Sequence, residues 1–149
     1  MALSRLENLY RHVILDHSSN PRNFGSLEDA NGMLELNNPT CGDVIQLHIR
    51  LEGDRIEAAK FSGHGCSIST ASASMMTEQV IGKTVLEARE MIEEFLLLVQ
   101  GKLAKEENHL GDAEILSGVA KFPARIKCAT LSWKALERIL LEQKEETNE

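Results

Sequence analysis

The chain has 149 residues, the length of one domain, and its 42% hydrophobic and 26% charged residues are ordinary globular usage, which excludes collagen-like, disordered and membrane-embedded classes. Sixteen basic against twenty-three acidic side chains leave a net charge of −7, which opposes phosphate neutralisation and argues against nucleic acid or an anionic membrane as partner. The longest strongly apolar run, Phe95 to Val99, is far short of the ~20 residues of a membrane helix.

No basic-then-apolar leader opens the sequence, so the cytoplasm is the expected compartment. Ser4-Arg5-Leu6-Glu7 reads as a capping box, and Leu6, Leu9, Tyr10, Val13, Ile14 and His17 recur at helical steps, predicting an amphipathic helix from Arg5 to His17. The turn-rich stretch Ser18 to Gly25, with Pro21 inside it, ends that helix. Gly32 to Leu36 is a predicted first strand. From Val44 to Leu51 the chain alternates, with Ile45, Leu47, Ile49 and Leu51 on one face and Gln46, His48 and Arg50 on the other, the pattern of a one-sided antiparallel strand. Glu52-Gly53-Asp54-Arg55 is a turn, and Ile56 to Ser62 returns as the hairpin partner.

Gly63-His64-Gly65 then punctuates the chain, and a helix begins at Cys66 and runs through the small residues Ser67 to Ile81. A second capping box, Thr84-Val85-Leu86-Glu87, opens a helix to Gln100 with Gly101 at its end. Lys102 to Ser117 is polar and reads as an irregular segment with short helical turns. Pro123 suits a first helical turn, and Ile126, Thr130, Trp133, Leu136 and Leu140 trace one face of the last long helix. Glu142 to Glu149 is read as a frayed acidic tail. The fold class is therefore α+β: a three-stranded antiparallel sheet with helices packed on one face, in a single domain spanning 1–149.

Three cysteines are an odd count for a disulfide scaffold. Packing in the core is one use for them, since free cysteine is often buried. Metal or sulfur chemistry is the other, because Cys41 precedes a strand while Cys66 and Cys128 stand near helix starts, where the helix dipole favours the thiolate. Asp43 follows two residues after Cys41 across Gly42, so three thiols and one carboxylate could make a tetrahedral set, with zinc the first candidate. Arg125, three residues before Cys128, would share its helix face and could support a thiolate or dock a partner's carboxylate; His17 is the other side chain considered as an assistant. His64, between its glycines, reads first as an exposed turn residue, and His12, His17, His48 and His109 as surface or core-edge residues. Met75 and Met76 read as core.

The stretches Asn38-Pro39-Thr40-Cys41-Gly42-Asp43, Gly63-His64-Gly65-Cys66 running on to Met76, and Pro123-Ala124-Arg125-Ile126-Lys127-Cys128 resemble the three signature segments of the IscU/NifU-type iron–sulfur cluster assembly proteins. The closest resemblance is to the SufU branch of Gram-positive bacteria. Lys127 stands where IscU-type proteins place a histidine, Lys121 to Arg125 departs from their chaperone-recognition segment, and 102–117 looks like the SufU insertion. The resemblance implies a zinc site of Cys41, Asp43, Cys66 and Cys128, and sulfur received from a SufS-type cysteine desulfurase with Cys41 as acceptor. Tyr10 and Arg11 would lie where family members touch the desulfurase. Onward partners would be iron–sulfur acceptor proteins or a SufB/SufC/SufD-type complex. Two other readings use the same residues: a scaffold carrying a [2Fe–2S] cluster on Cys41, Cys66 and Cys128, and a purely structural zinc domain. A cysteine hydrolase fits poorly, since no motif places a histidine as base beside any thiol.

Overall fold

The structure is a computed structural model that describes residues 2–102 and 110–147, with side chains from 11 to 102 and 110 to 142. In chain order it runs α1 (Ala2–Ser19), β1 (Gly32–Asn38), β2 (Asp43–Glu52), β3 (Arg55–His64), α2 (Ser67–Val80), α3 (Val85–Leu98), a 3₁₀ segment (Gly111–Lys121) and α4 (Pro123–Thr147). The strands form an antiparallel meander in the order β1-β2-β3.

Alternation decides the faces. Ile45, Leu47, Ile49 and Leu51 are buried together with their β3 partners Phe61, Ala59 and Ile56, and α2 and α4 pack across this side. On the opposite side Gln46 donates to Glu35 (2.8 Å) and accepts from Ser62 (3.1 Å), a polar ladder across all three strands. His48 belongs to that side yet is buried, because the segment after α1 lies over it and Leu27 N–H donates to its Nδ1 (3.2 Å).

Small residues on α2 let α4 come close. Ser72 donates to the Ala129 carbonyl and accepts from Trp133 Nε1 (3.0 Å), while Trp133 stacks on Phe95 of α3 with ring centroids 4.2 Å apart. The Thr84–Glu87 capping box is formed in both directions. Helix α1, in contrast, begins at Ala2, before Arg5, so Ser4 is a helical residue and not the cap. Leu3 and Leu6 carry the apolar spacing back past the capping signal, and that spacing prevails over the local motif. Helix α4 runs to Thr147, through most of the stretch read as a frayed tail; Asn148, Glu149 and residues 103–109, including His109 and much of the 102–117 segment, lie outside the described residues. None of the described helices is long and apolar enough to cross a membrane.

Candidate metal centre

One end of the sheet carries the thiols. Asn38 closes β1, the chain turns with Cys41 N–H donating to the Asn38 carbonyl (3.3 Å), and Gly42 takes the left-handed φ of +71° that aims Cys41 and Asp43 toward one point. Asp43, the first residue of β2, is 1% exposed. Its Oδ1 accepts from the Cys66 backbone N–H (2.8 Å) and its Oδ2 from Asn38 Nδ2 (3.2 Å), so the buried carboxylate has donors on both oxygens.

Cys66 is the N-cap of α2, and its sulfur accepts from Ser69 N–H (3.5 Å). The glycines on either side of His64 bring it there: a side chain at Gly63 would meet the Val44 carbonyl, and one at Gly65 would stand 2.5 Å from Asp43 Oδ1. Cys128, fully buried in the second turn of α4, has its Sγ 2.9 Å from Cys41 Sγ and 3.6 Å from Asn38 Nδ2.

The donor atoms of Cys41, Asp43 and Cys128 all lie within 4.8 Å of one another. Cys66 Sγ stands outside that group, so three of the four predicted ligands converge, while the fourth accepts from Ser69 N–H at the start of its own helix and stays beside the Cys128 thiol. Near a helix start the Cys128 thiolate is expected to be favoured, but the surrounding protein acts on the thiol the other way. Burial pushes it well above the ordinary thiol range, helped by hydrogen bonds with Cys41, Asp43 and Cys66. Position in the second turn, inside the core, removes the benefit of the helix end. Arg125 is exposed at the mouth, and the adjacent Cys128 sulfur, then the other two thiols, favour its charged form.

His64 is exposed at the end of β3, and Lys127 is exposed beside Asn38, Lys134 and Arg138. Neither belongs to the donor cluster. His17 is not a surface residue: it is 1% exposed and engaged by Ser74 and Asp112, in a separate group from the thiols. Its burial comes from α2 and the 3₁₀ segment closing over it, which the pattern of α1 alone does not reveal. Asn38 is a site residue to which the sequence reading gave no role; its signal is its place at the head of the first cysteine stretch.

The profile of the NifU-like N terminal domain matches residues 9–129. The chain belongs to the NifU-like N-terminal domain family. A zinc-dependent sulfurtransferase SufU of Bacillus subtilis is 56% identical over 91% of this chain and 91% of its own length. An iron–sulfur cluster assembly scaffold protein IscU of Streptococcus pyogenes is 51% identical, covering 94% of this chain and 87% of that one. A crystal structure of a candidate iron–sulfur cluster assembly scaffold for the SUF system from Fervidobacterium islandicum superposes with a TM-score of 0.81 at 41% identity, over 86% of this chain and 93% of that one. The NifU-like fold and the signature resemblance are thus in agreement along nearly the whole chain.

Proposed function

We propose that this NifU-like protein is a zinc-binding sulfur acceptor of iron–sulfur cluster biogenesis, taking persulfide sulfur from a SufS-type cysteine desulfurase and passing it to a SufB/SufC/SufD-type complex or to iron–sulfur acceptor proteins. The observation that carries the reading is the meeting of two thiols and a buried carboxylate within 4.8 Å at a partly exposed end of the sheet. Two sulfurs and one oxygen, with a third thiol on the adjoining helix start, suit zinc by donor type. Cys41, Asp43, Cys66 and Cys128 would hold the ion, which when bound favours the thiolate form of each cysteine.

The chain's own residues divide the remaining work. Cys41 is the proposed acceptor because it is half-buried on a turn, whereas Cys128 is enclosed. Its thiolate attacks the outer sulfur of the donor's persulfide; an S–S bond forms at Cys41, the donor's S–S bond breaks, and the donor cysteine leaves as a thiolate. No external oxidant or reductant is consumed. Asn38 holds the Asp43 carboxylate, and Arg125 supports thiolate charge at the mouth or receives a carboxylate of the desulfurase. An apolar groove lined by Arg11, Leu15, Ile68 and Phe122 reaches Arg125 and offers the desulfurase a docking surface.

Elemental mass spectrometry of anaerobically purified protein tests the reading. Near-stoichiometric zinc, depleted in Asp43→Ala, together with loss of persulfide formation in Cys41→Ala, is the expected result. Unaltered persulfide accumulation in Cys41→Ala refutes the acceptor assignment. The second reading, a scaffold for a transferable [2Fe–2S] cluster, is supported by the names of the streptococcal and Fervidobacterium relatives; it predicts iron in place of zinc and cluster transfer after anaerobic reconstitution.

A further inference from the structure

A second group of ligand-type side chains meets where α1, α2 and the 3₁₀ segment join. His17, in the last turn of α1, is 1% exposed, and its Nε2 lies 3.0 Å from Asp112 Oδ2 and 3.8 Å from Glu78 Oε1. The three donor atoms are all within 4.8 Å of one another. On its other edge, His17 Nδ1 is 2.8 Å from Ser74 Oγ, which also accepts the Arg22 backbone N–H at 2.8 Å. Glu78 and Asp112 are 42% and 58% exposed, so the group is walled by the core behind the imidazole and open to water in front of the carboxylates.

We propose that His17, Glu78 and Asp112 bind a divalent transition-metal ion of the manganese, iron, cobalt and zinc class, at a site distinct from the thiol centre. One imidazole and two carboxylates, without sulfur, suit these borderline and hard ions, and three protein ligands with an open front leave positions for water. Two carboxylates drawn to one nitrogen repel each other, and a cation between them removes that cost. Arg22 lies near enough for its charge to act on both, but its guanidinium is engaged by Asp16 at 2.7 Å.

The ring is also held as a ligand ring should be. A ligating histidine gives its second N–H to an acceptor, and Ser74 Oγ has two lone pairs, one for Arg22 N–H and one for His17 Nδ1–H. Because the ligands come from three elements, an ion there fixes the 3₁₀ segment to α1 and α2, the same elements that wall the apolar groove.

The test is a titration of the purified protein, its thiol-bound metal first quantified, with Mn(II) followed by loss of the free-ion electron paramagnetic resonance signal, and with Co(II) followed by its visible spectrum. The expected result is one further ion per chain, with Co(II) bands that lack sulfur-to-cobalt charge transfer. Glu78→Gln and Asp112→Asn should each weaken binding at least tenfold while the thiol-bound metal is unchanged. His17→Gln should abolish it, and since that side chain is buried the two exposed carboxylate variants carry the decision. No additional ion of either kind at millimolar concentration, or binding unchanged in either carboxylate variant, overturns the proposal.

Discussion

An alanine methyl at Gly65 would press on Asp43 Oδ1 and disturb the carboxylate that Cys66 N–H and Asn38 hold, whereas one at Gly63 would press on the Val44 carbonyl, which is fixed in the β2–β3 ladder, at a backbone φ of +125°. The two substitutions should therefore separate. Gly65→Ala is expected to release metal about tenfold more readily with a melting temperature close to wild type, and Gly63→Ala to lose about 1–3 kcal/mol of stability, read by chelator competition and thermal melts. Cys128 supplies a pH prediction. Burial favours its neutral thiol, so metal uptake must expel that proton, and lowering the pH opposes uptake. Between pH 8 and pH 6 the apparent metal affinity should fall by up to about tenfold per pH unit for each proton displaced, as measured by competition with a chelator of known pH behaviour. What the sequence makes legible at this scale is the placing of Cys41, Cys66 and Asp43 at element ends, because turn and cap signals are local. The burial of Asn38 and His17 is not legible: it appears only when distant elements close over them.

Between Thr84 and Glu87 the capping box can be read from four residues, and its energetic share is correspondingly local. Thr84→Ala should cost about 1 kcal/mol in urea unfolding. The Thr84 N–H and hydroxyl hold the Glu87 carboxyl below its usual range, so its contribution is present above the ordinary glutamate pKa and disappears as acid protonates it. Phe95→Ala, at the stack against Trp133, should cost about 3–5 kcal/mol, and the single tryptophan reports the loss directly through its fluorescence. The strands were the most legible elements, since a period of two declares its buried face without knowledge of the partner. The start of α1 was not, because a capping motif inside a longer apolar period is indistinguishable from one at its edge. The Cys66 sulfur accepting from Ser69 N–H, by contrast, follows from its local place as the cap of α2.

For the whole molecule, the question is whether the metal makes the fold or the fold makes the metal site. The core is continuous from the buried face of the sheet through α2, α3 and α4, and none of the proposed ligands is part of it. Chelation should accordingly lower the melting temperature while leaving the far-ultraviolet circular dichroism nearly unchanged at 25 °C. Collapse of secondary structure on chelation would favour the purely structural zinc domain. The family-wide likeness in signature order made the fold readable; the second group at His17 was not, because Glu78 and Asp112 lie 61 and 95 residues after His17 and the three share no motif.

The spacing of the thiols along the chain also orders events during synthesis. At about 5–20 residues per second, Cys128 leaves the ribosome several seconds after Cys66, and in that interval the nascent chain holds two thiols and a carboxylate but no partner for the Cys41 sulfur on α4. The proposed ligand set is complete only once the last helix has docked, so the half-made chain offers the ion one thiol fewer than the finished fold.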